Sequence, residues 1–241
     1  TPIKSSAASD VYKRQMLQII LKLFTAIKIL FIKRLKAHNS VFVLNHVFIG
    51  KGCSVELHNA YMSHLEMHIE GHNNKLLING SRYLRGEIKI FGENNIVEIG
   101  KGGYLAKLRI VVRGNNCKVV IGDGVTTGSA YIACMGKDNY VTIGDDCMLA
   151  EYVDIWATDT HGIYDNQENL INSSAPIVIG KHVWLGKWVS ILKGVSIGDG
   201  AVVGMKALVT KSIATKTLNV GSPAQVIKKA VSYTHLTLPT T

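Results

Sequence analysis

The chain has 241 residues, with 27 Lys and Arg against 17 Asp and Glu, a formal net charge of +10. That length accommodates one domain with a sizeable core, and the charge favours anionic partners such as phosphorylated cofactors, anionic lipid or nucleic acid. No zinc finger, helix-turn-helix pattern or aromatic–basic RNA motif accompanies the charge, so no nucleic-acid partner is expected. The cysteines, Cys53, Cys117, Cys134 and Cys147, form no C-x-x-C pair and read as small buried residues of a reduced compartment.

The chain ends are set aside first. Ser5–Gln15 looks like a translated sequencing adaptor, and Val231–Thr240 looks like the same adaptor read on the opposite strand. Residues 1–15 and 230–241 are therefore excluded as adaptor-derived. Lys4, Lys13, Arg14 and Asp10 account for a net +2, so the remainder keeps a formal +8. Met16 either begins the native frame or follows a truncation.

Residues 16–36 read MLQIILKLFTAIKILFIKRLK. Gln18, Lys22, Thr25, Lys33 and Lys36 fall near one helical stripe and the rest of the circumference is apolar, which predicts an amphipathic basic helix. Such a helix packs on the body of the protein or lies in a membrane surface with its lysines at the headgroups. Lys22 and Lys28 argue against a spanning segment.

From about Val41 a repeat begins. Gly71, Gly92, Gly114 and Gly136 stand 21, 22 and 22 residues apart, each opening a Gly/Asn turn followed by a short β segment. Asn and Gly tolerate the left-handed backbone that corners require. Coils this long predict a small excursion at one corner. Farther on, the period tightens to six. Ile179, Leu185, Ile191, Ile197, Val203 and Val209 form one register, and Val183, Val189, Val195, Ala201, Ala207 and Ile213 a second. Neither a helix nor a simple strand sustains that period; a chain wound in short flat strands, three to a coil, does. Gly180, Gly186, Gly194, Gly198, Gly200 and Gly204 are read as the tight turns and positive-φ positions. The expected solenoid spans 41–222, is interrupted at 157–176, and closes with 223–229.

The interruption carries Thr158-Asp159-Thr160-His161-Gly162-Ile163-Tyr164-Asp165-Asn166. Long loops in compact domains are commonly functional or disordered. His161 suits a general base at neutral pH. Asp159, Asp165 and Asp154 are candidates to orient it, and spacing does not choose among them. Hydrogen bonding of His161 to loop backbone alone is the plainer alternative. His58, His64, His68 and His72 open a zinc reading, but exposed coil histidines account for them better, and no metal requirement is expected.

Three motifs resemble, in the expected order, the hexapeptide-repeat acyltransferases, polysaccharide O-acetyltransferase branch. TDTHGIYD is similar to their catalytic-histidine loop, IVIGKHVWLGKWVSILKGVSIGDGAVVG to the coils after it, and VGSPAQVIKK to their closing segment. The resemblance implies an all-β solenoid. It would be a left-handed parallel β-helix with an N-terminal amphipathic α-helix and an inserted active-site loop, assembled as a homotrimer with sites between neighbours. It implies transfer of acetyl from acetyl-CoA to a sugar hydroxyl of a surface polysaccharide or its precursor, with His161 as base; Asp159 is the carboxylate named with His161 as catalytic, the choice among the three staying open. It implies an oxyanion donor at Gly186 or Lys187, and a groove shaped by Trp184. Gly204 and Met205 would meet the pantetheine arm, and Thr210, Lys211 and Lys228 the nucleotide phosphates. Lys206, Ser222 and Lys187 depart from the family pattern, which bears on the cofactor contacts. N-acetylation of an amino-sugar nucleotide, or a non-catalytic scaffold, are the alternatives. The expected location is cytoplasmic, at the inner face of the membrane through peripheral contact of residues 16–36.

Overall fold

The computed structural model describes residues 34–43 and 45–234, together with Met16, Leu17 and Ile20, which are helical. Residues 18, 19 and 21–33 of the predicted 16–36 helix lie outside the described residues, and its expected end is corrected. Arg34 is in a turn and Leu35–His38 is a strand paired in parallel with Ser54–His58, so the solenoid begins at Leu35 rather than Val41. None of the described helices is long and apolar enough to cross a membrane.

The six-residue period becomes a β-solenoid of about eight coils. All six residues of the first register are buried, at 2% exposure or less, and the second register is buried with them. Each position repeats on the same side of a flat face, so large aliphatic side chains stack from coil to coil along the axis. Each fully buried Leu or Ile contributes ~1.5–3 kcal/mol relative to exposure. All four cysteines are buried and free.

Three faces alternate along the chain. One is an eight-stranded parallel sheet that includes Tyr140–Ile143, Ile177–Ile179 and Ser196–Ile197. The second includes Met148–Leu149, Trp184–Leu185 and Val202–Val203. The third includes Val153–Trp156, Ser190–Leu192 and Leu208–Val209. In the early coils single strands, such as Tyr61–His72 and Tyr104–Asn115, bend across the corner between the second and third faces, so these two faces belong to one sheet.

Register survives changes of coil length. Val120 pairs with Thr142, Thr142 with Val178, and Val178 with Ser196, steps of 22, 36 and 18 residues. The expected excursion of the longer coils sits at the corner between the third and first faces. Ile132 to Thr142 takes ten residues, whereas the equivalent passage from Ile191 to Ser196 takes five. The extra residues prolong the strand, as in Ala130–Lys137, through the column Gly71, Gly92, Gly114 and Gly136. At Gly92 φ is +105° and an added Cβ would lie 2.0 Å from the Gly114 carbonyl oxygen.

Beside this column a ladder of buried asparagines closes the same corner. Asn95 Nδ2 donates to the carbonyls of Gly114 (2.7 Å) and Phe91 (3.1 Å) and to Asn74 Oδ1 (3.0 Å), while its Oδ1 accepts the Cys117 N–H at 2.8 Å. Outside it, Asn73, Asn94 and Asn116 take φ of 53–57°, as the Gly/Asn turns predict.

The later glycines depart from their expected role. Gly194 and Gly200 have positive φ, but Gly180, Gly186, Gly198 and Gly204 do not. At those corners the residue two positions on, His182, Trp188, Gly200 and Lys206 respectively, adopts the left-handed conformation. What Gly186 supplies is absence of bulk, since an added Cβ would stand 2.7 Å from the Met205 backbone nitrogen. Crowding between coils selects glycine there.

Two substitutions test this account of the corner. Asn95→Ala orphans several buried polar groups at ~1–3 kcal/mol each, and Gly92→Ala is expected to cost more than ~2 kcal/mol through clash and strained φ. Both are expected to lower the urea midpoint clearly. A midpoint within experimental error of wild type for either contradicts the account.

Candidate active site on the inserted loop

Residues 157–176 leave the solenoid after Val153–Trp156 and return at Ile177–Ile179, between the third and first faces. The loop is closed like a hairpin. At its neck Ala175 N–H donates to the Ala157 carbonyl (3.3 Å), and farther out Ile171 N–H donates to the Ile163 carbonyl (2.9 Å). Tyr164 and Leu170 form an antiparallel bridge near the tip.

His161 stands exposed on this loop. Its backbone is held on both sides: its N–H donates to the Asp159 carbonyl at 2.8 Å, and its carbonyl accepts from Asn172 Nδ2 at 2.8 Å. Its imidazole makes no hydrogen bond with the described residues.

The three candidate carboxylates have separate partners. Asp159 Oδ2 accepts from Lys193 Nζ at 2.5 Å and from Asn172 Nδ2 at 2.9 Å. The Lys193 ammonium, helped by Asn172, holds the Asp159 carboxyl below its ordinary range. Asp165 accepts the N–H groups of Asn169 (2.9 Å) and Gln167 (2.8 Å), which lower its pKa and shape the tip. Asp154 lies on the third face, where burial raises its pKa against a hydrogen bond from Trp156. None of the three meets the imidazole of His161.

The cofactor candidates divide between locations. Gly186 and Lys187 stack over Gly204 and Met205 at the corner between the second and third faces, where Lys206 N–H donates to the Lys187 carbonyl at 2.9 Å. Gly186 N–H is committed to the Val203 carbonyl at 2.8 Å, whereas Lys187 N–H has no acceptor among the described residues. Of the two, Lys187 therefore retains the N–H able to serve an oxyanion. Its ammonium pairs with Glu151 at 2.6 Å and lies 4.7 Å from the Trp188 ring centroid, with Lys206 Nζ 5.3 Å from the same ring. Met205 is 61% exposed.

Trp184 occupies the second face, its ring 5.7 Å from Tyr233, which also stacks on His182 at 4.3 Å. Tyr233 falls in the segment read as adaptor-derived. Thr210 and Lys211 follow Leu208–Val209 at the corner from which the His161 loop departs, one coil beyond Lys193. Lys228 lies on the closing strand Gln225–Lys229, opposite Leu218. Within one chain, His161 thus shares a corner with Thr210 and Lys211, and stands across the third face from Lys187 and Met205.

The early histidines have local partners. His58 lies 3.3 Å from Glu56 and stacks on His38, and His68 bonds Glu70 at 3.0 Å between Phe48 and Phe91. Among the described residues no cluster of three or more His, Cys, Asp or Glu could hold a metal.

The fold and loop define a hexapeptide solenoid with a histidine-bearing insert. The family model "Bacterial transferase hexapeptide (six repeats)" matches residues 176–211. The chain is 33% identical to the putative lipopolysaccharide biosynthesis O-acetyl transferase WbbJ of Escherichia coli K12, over 64% of this chain and 78% of that one. It is 38% identical to the polysialic acid O-acetyltransferase of Escherichia coli O1:K1, over 50% of this chain but only 39% of that protein's length. The crystal structure of the polySia-specific acetyltransferase NeuO superposes with a TM-score of 0.61 at 31% identity, over 84% of this chain and 88% of that one. The chain belongs to the hexapeptide-repeat acetyltransferase family, with its left-handed parallel β-helix.

A lowered Asp159 pKa means that its ionic bond is complete above the ordinary aspartate range and is lost as pH falls through the depressed value. In Lys193→Met the Asp159 midpoint is expected to move upward, read by carboxyl-carbon NMR titration. An unchanged midpoint contradicts the pairing.

Proposed function

We propose that this protein transfers an acetyl group from acetyl-CoA to a hydroxyl of an acidic surface polysaccharide or its precursor, with His161 as general base. The observation that carries the reading is the exposed imidazole of His161, unbonded to any described residue on a loop whose backbone is fixed around it. The related polysialic acid O-acetyltransferases support the acceptor class.

On this reading an imidazole nitrogen of His161 takes the acceptor hydroxyl proton as the oxygen attacks the thioester carbonyl. Lys187 N–H steadies the oxyanion. The C–S bond breaks, the proton passes from imidazolium to the departing sulfur, and the products are an O-acetyl ester and free CoA thiol. His161 and Lys187 sit at different corners, which favours a site formed by neighbouring copies, as in a homotrimer.

His161→Ala is expected to lower acceptor-dependent CoA release by ~10²–10⁴-fold, with folding retained by circular dichroism. Acceptor-dependent activity that survives the substitution overturns the role of His161. No turnover with any acidic or neutral glycan, together with no acetyl-CoA binding by calorimetry, overturns the enzyme reading.

We further propose that the basic segment 16–36 brings the protein to the inner, anionic membrane surface. Flotation with phosphatidylglycerol-containing liposomes is expected to fall sharply when 16–36 is deleted. Equal flotation of both chains rejects this.

A further inference from the structure

Asn172 lies outside the three motifs and Lys193 has no role assigned within the one that contains it, yet they converge on the loop that carries His161. Asn172 uses every polar atom of its side chain there. Its Oδ1 accepts the Ile163 N–H at 2.6 Å, and its Nδ2 donates to the His161 carbonyl at 2.8 Å and to Asp159 Oδ2 at 2.9 Å. One amide therefore ties the residues on either side of Gly162 and joins the outgoing limb of the loop to the returning one.

Lys193 anchors that unit to the solenoid. It sits at the corner one coil beyond the loop, beside Gly194, whose N–H donates to the Pro176 carbonyl at 3.1 Å. Its Nζ reaches Asp159 Oδ2 at 2.5 Å and the Asn172 carbonyl at 2.7 Å. Its side chain is 22% exposed, so the contact is shielded more than an ordinary surface pair.

We propose that Asn172 and Lys193, with Asp159 between them, form a brace that positions His161 for catalysis. They are positioning residues: they act on the backbone of the base and touch neither its ring nor a reacting atom. Asp159 then serves the imidazole indirectly, by holding the main chain from which it projects. The brace also explains how an exposed 20-residue excursion holds one conformation without a core of its own. The proposal rests on the acetyltransferase reading for its catalytic consequence but not for its structural one.

The test uses the full-length protein as Asn172→Ala, Lys193→Met and Lys193→Arg, read by steady-state kinetics and by amide hydrogen exchange in the absence of substrates. A small misplacement of a catalytic group costs up to ~100-fold, so kcat is expected to fall ~10–100-fold in Asn172→Ala. KM for acetyl-CoA and the melting temperature should stay near wild type. Lys193→Met should fall in the same way, and Lys193→Arg, which keeps the cation, should recover much of the loss. Exchange at residues 161–163 should accelerate in Asn172→Ala and Lys193→Met and less in Lys193→Arg, with the solenoid core unchanged.

A kcat within twofold of wild type in Asn172→Ala overturns the brace. So does an effect confined to acceptor KM, which would make Asn172 an acceptor contact. Where the wild type transfers acetyl to no acceptor, the acetyltransferase reading fails, and exchange decides the brace by itself: acceleration at 161–163 upholds it and unchanged exchange overturns it.

Discussion

Coil-on-coil backbone pairing is the constraint on which the rest of this molecule depends. Along the first face each strand bonds the strand one coil away, in parallel and in continuous register, from Lys118↔Tyr140 through Thr142↔Val178 to Ile179↔Ile197. A slip by one residue would turn Ile143, Ile179 and Ile197 outward together. The core, the corner glycines and the asparagine ladder are therefore consequences of one register. Stability in such a stack comes from neighbouring coils, which is why Asn95 spends its side chain on groups one coil to either side.

The same constraint decides where chemistry can sit. Strand residues are committed to inward packing or to outward rows that repeat along the axis. Corners repeat too in the early coils, through the glycine column and the asparagine ladder, but their length is not fixed by the register. There the chain can lengthen without disturbing register, and the 36-residue step between Thr142 and Val178 uses this freedom fully. The excursion carries His161, while an unmodified corner presents Lys187 and Met205. A rigid stack with one long excursion isolates conformational freedom in the segment that bears the candidate base, and the contacts of Asn172 and Lys193 then remove much of it.

The sequence was most readable where the period was strict. From Ile179 to Val209 both registers lie where the six-residue spacing puts them, because no corner there exceeds its minimum length, whereas Ile213 bridges Ile197 rather than stacking on Val195, the last coil being two residues shorter. The early coils were readable only through their Gly/Asn turns, since bent and prolonged strands such as Tyr104–Asn115 blur a six-residue phase. The loop was visible as a break in phase and its histidine as a motif. The choice among Asp159, Asp165 and Asp154 was not visible, because it depends on which cation or N–H each meets. Lys193 is 34 residues from Asp159, and nothing in LKG announces that it would fold back onto the loop. The distinction between a glycine selected for positive φ and one selected by crowding, as at Gly186, is likewise a property of the next coil.

The separation of the two corners gives the brace its significance. On the acetyltransferase reading, His161 acts on a thioester placed by Lys187 and Met205, and these belong to a different corner of the prism. The distance between base and oxyanion donor is then set by how copies pack and by how firmly each loop is held to its own coil. In the proposed assembly of copies, their packing fixes the first. The contacts of Asn172 and of Lys193 fix the second, and the imidazole bonds none of the described residues. An orientation imposed through the main chain leaves both ring nitrogens open to the acceptor hydroxyl and the departing sulfur. A carboxylate bonded to the ring would occupy one of them. Asp159 held by Lys193 is thus compatible with a base that must take a proton and return it.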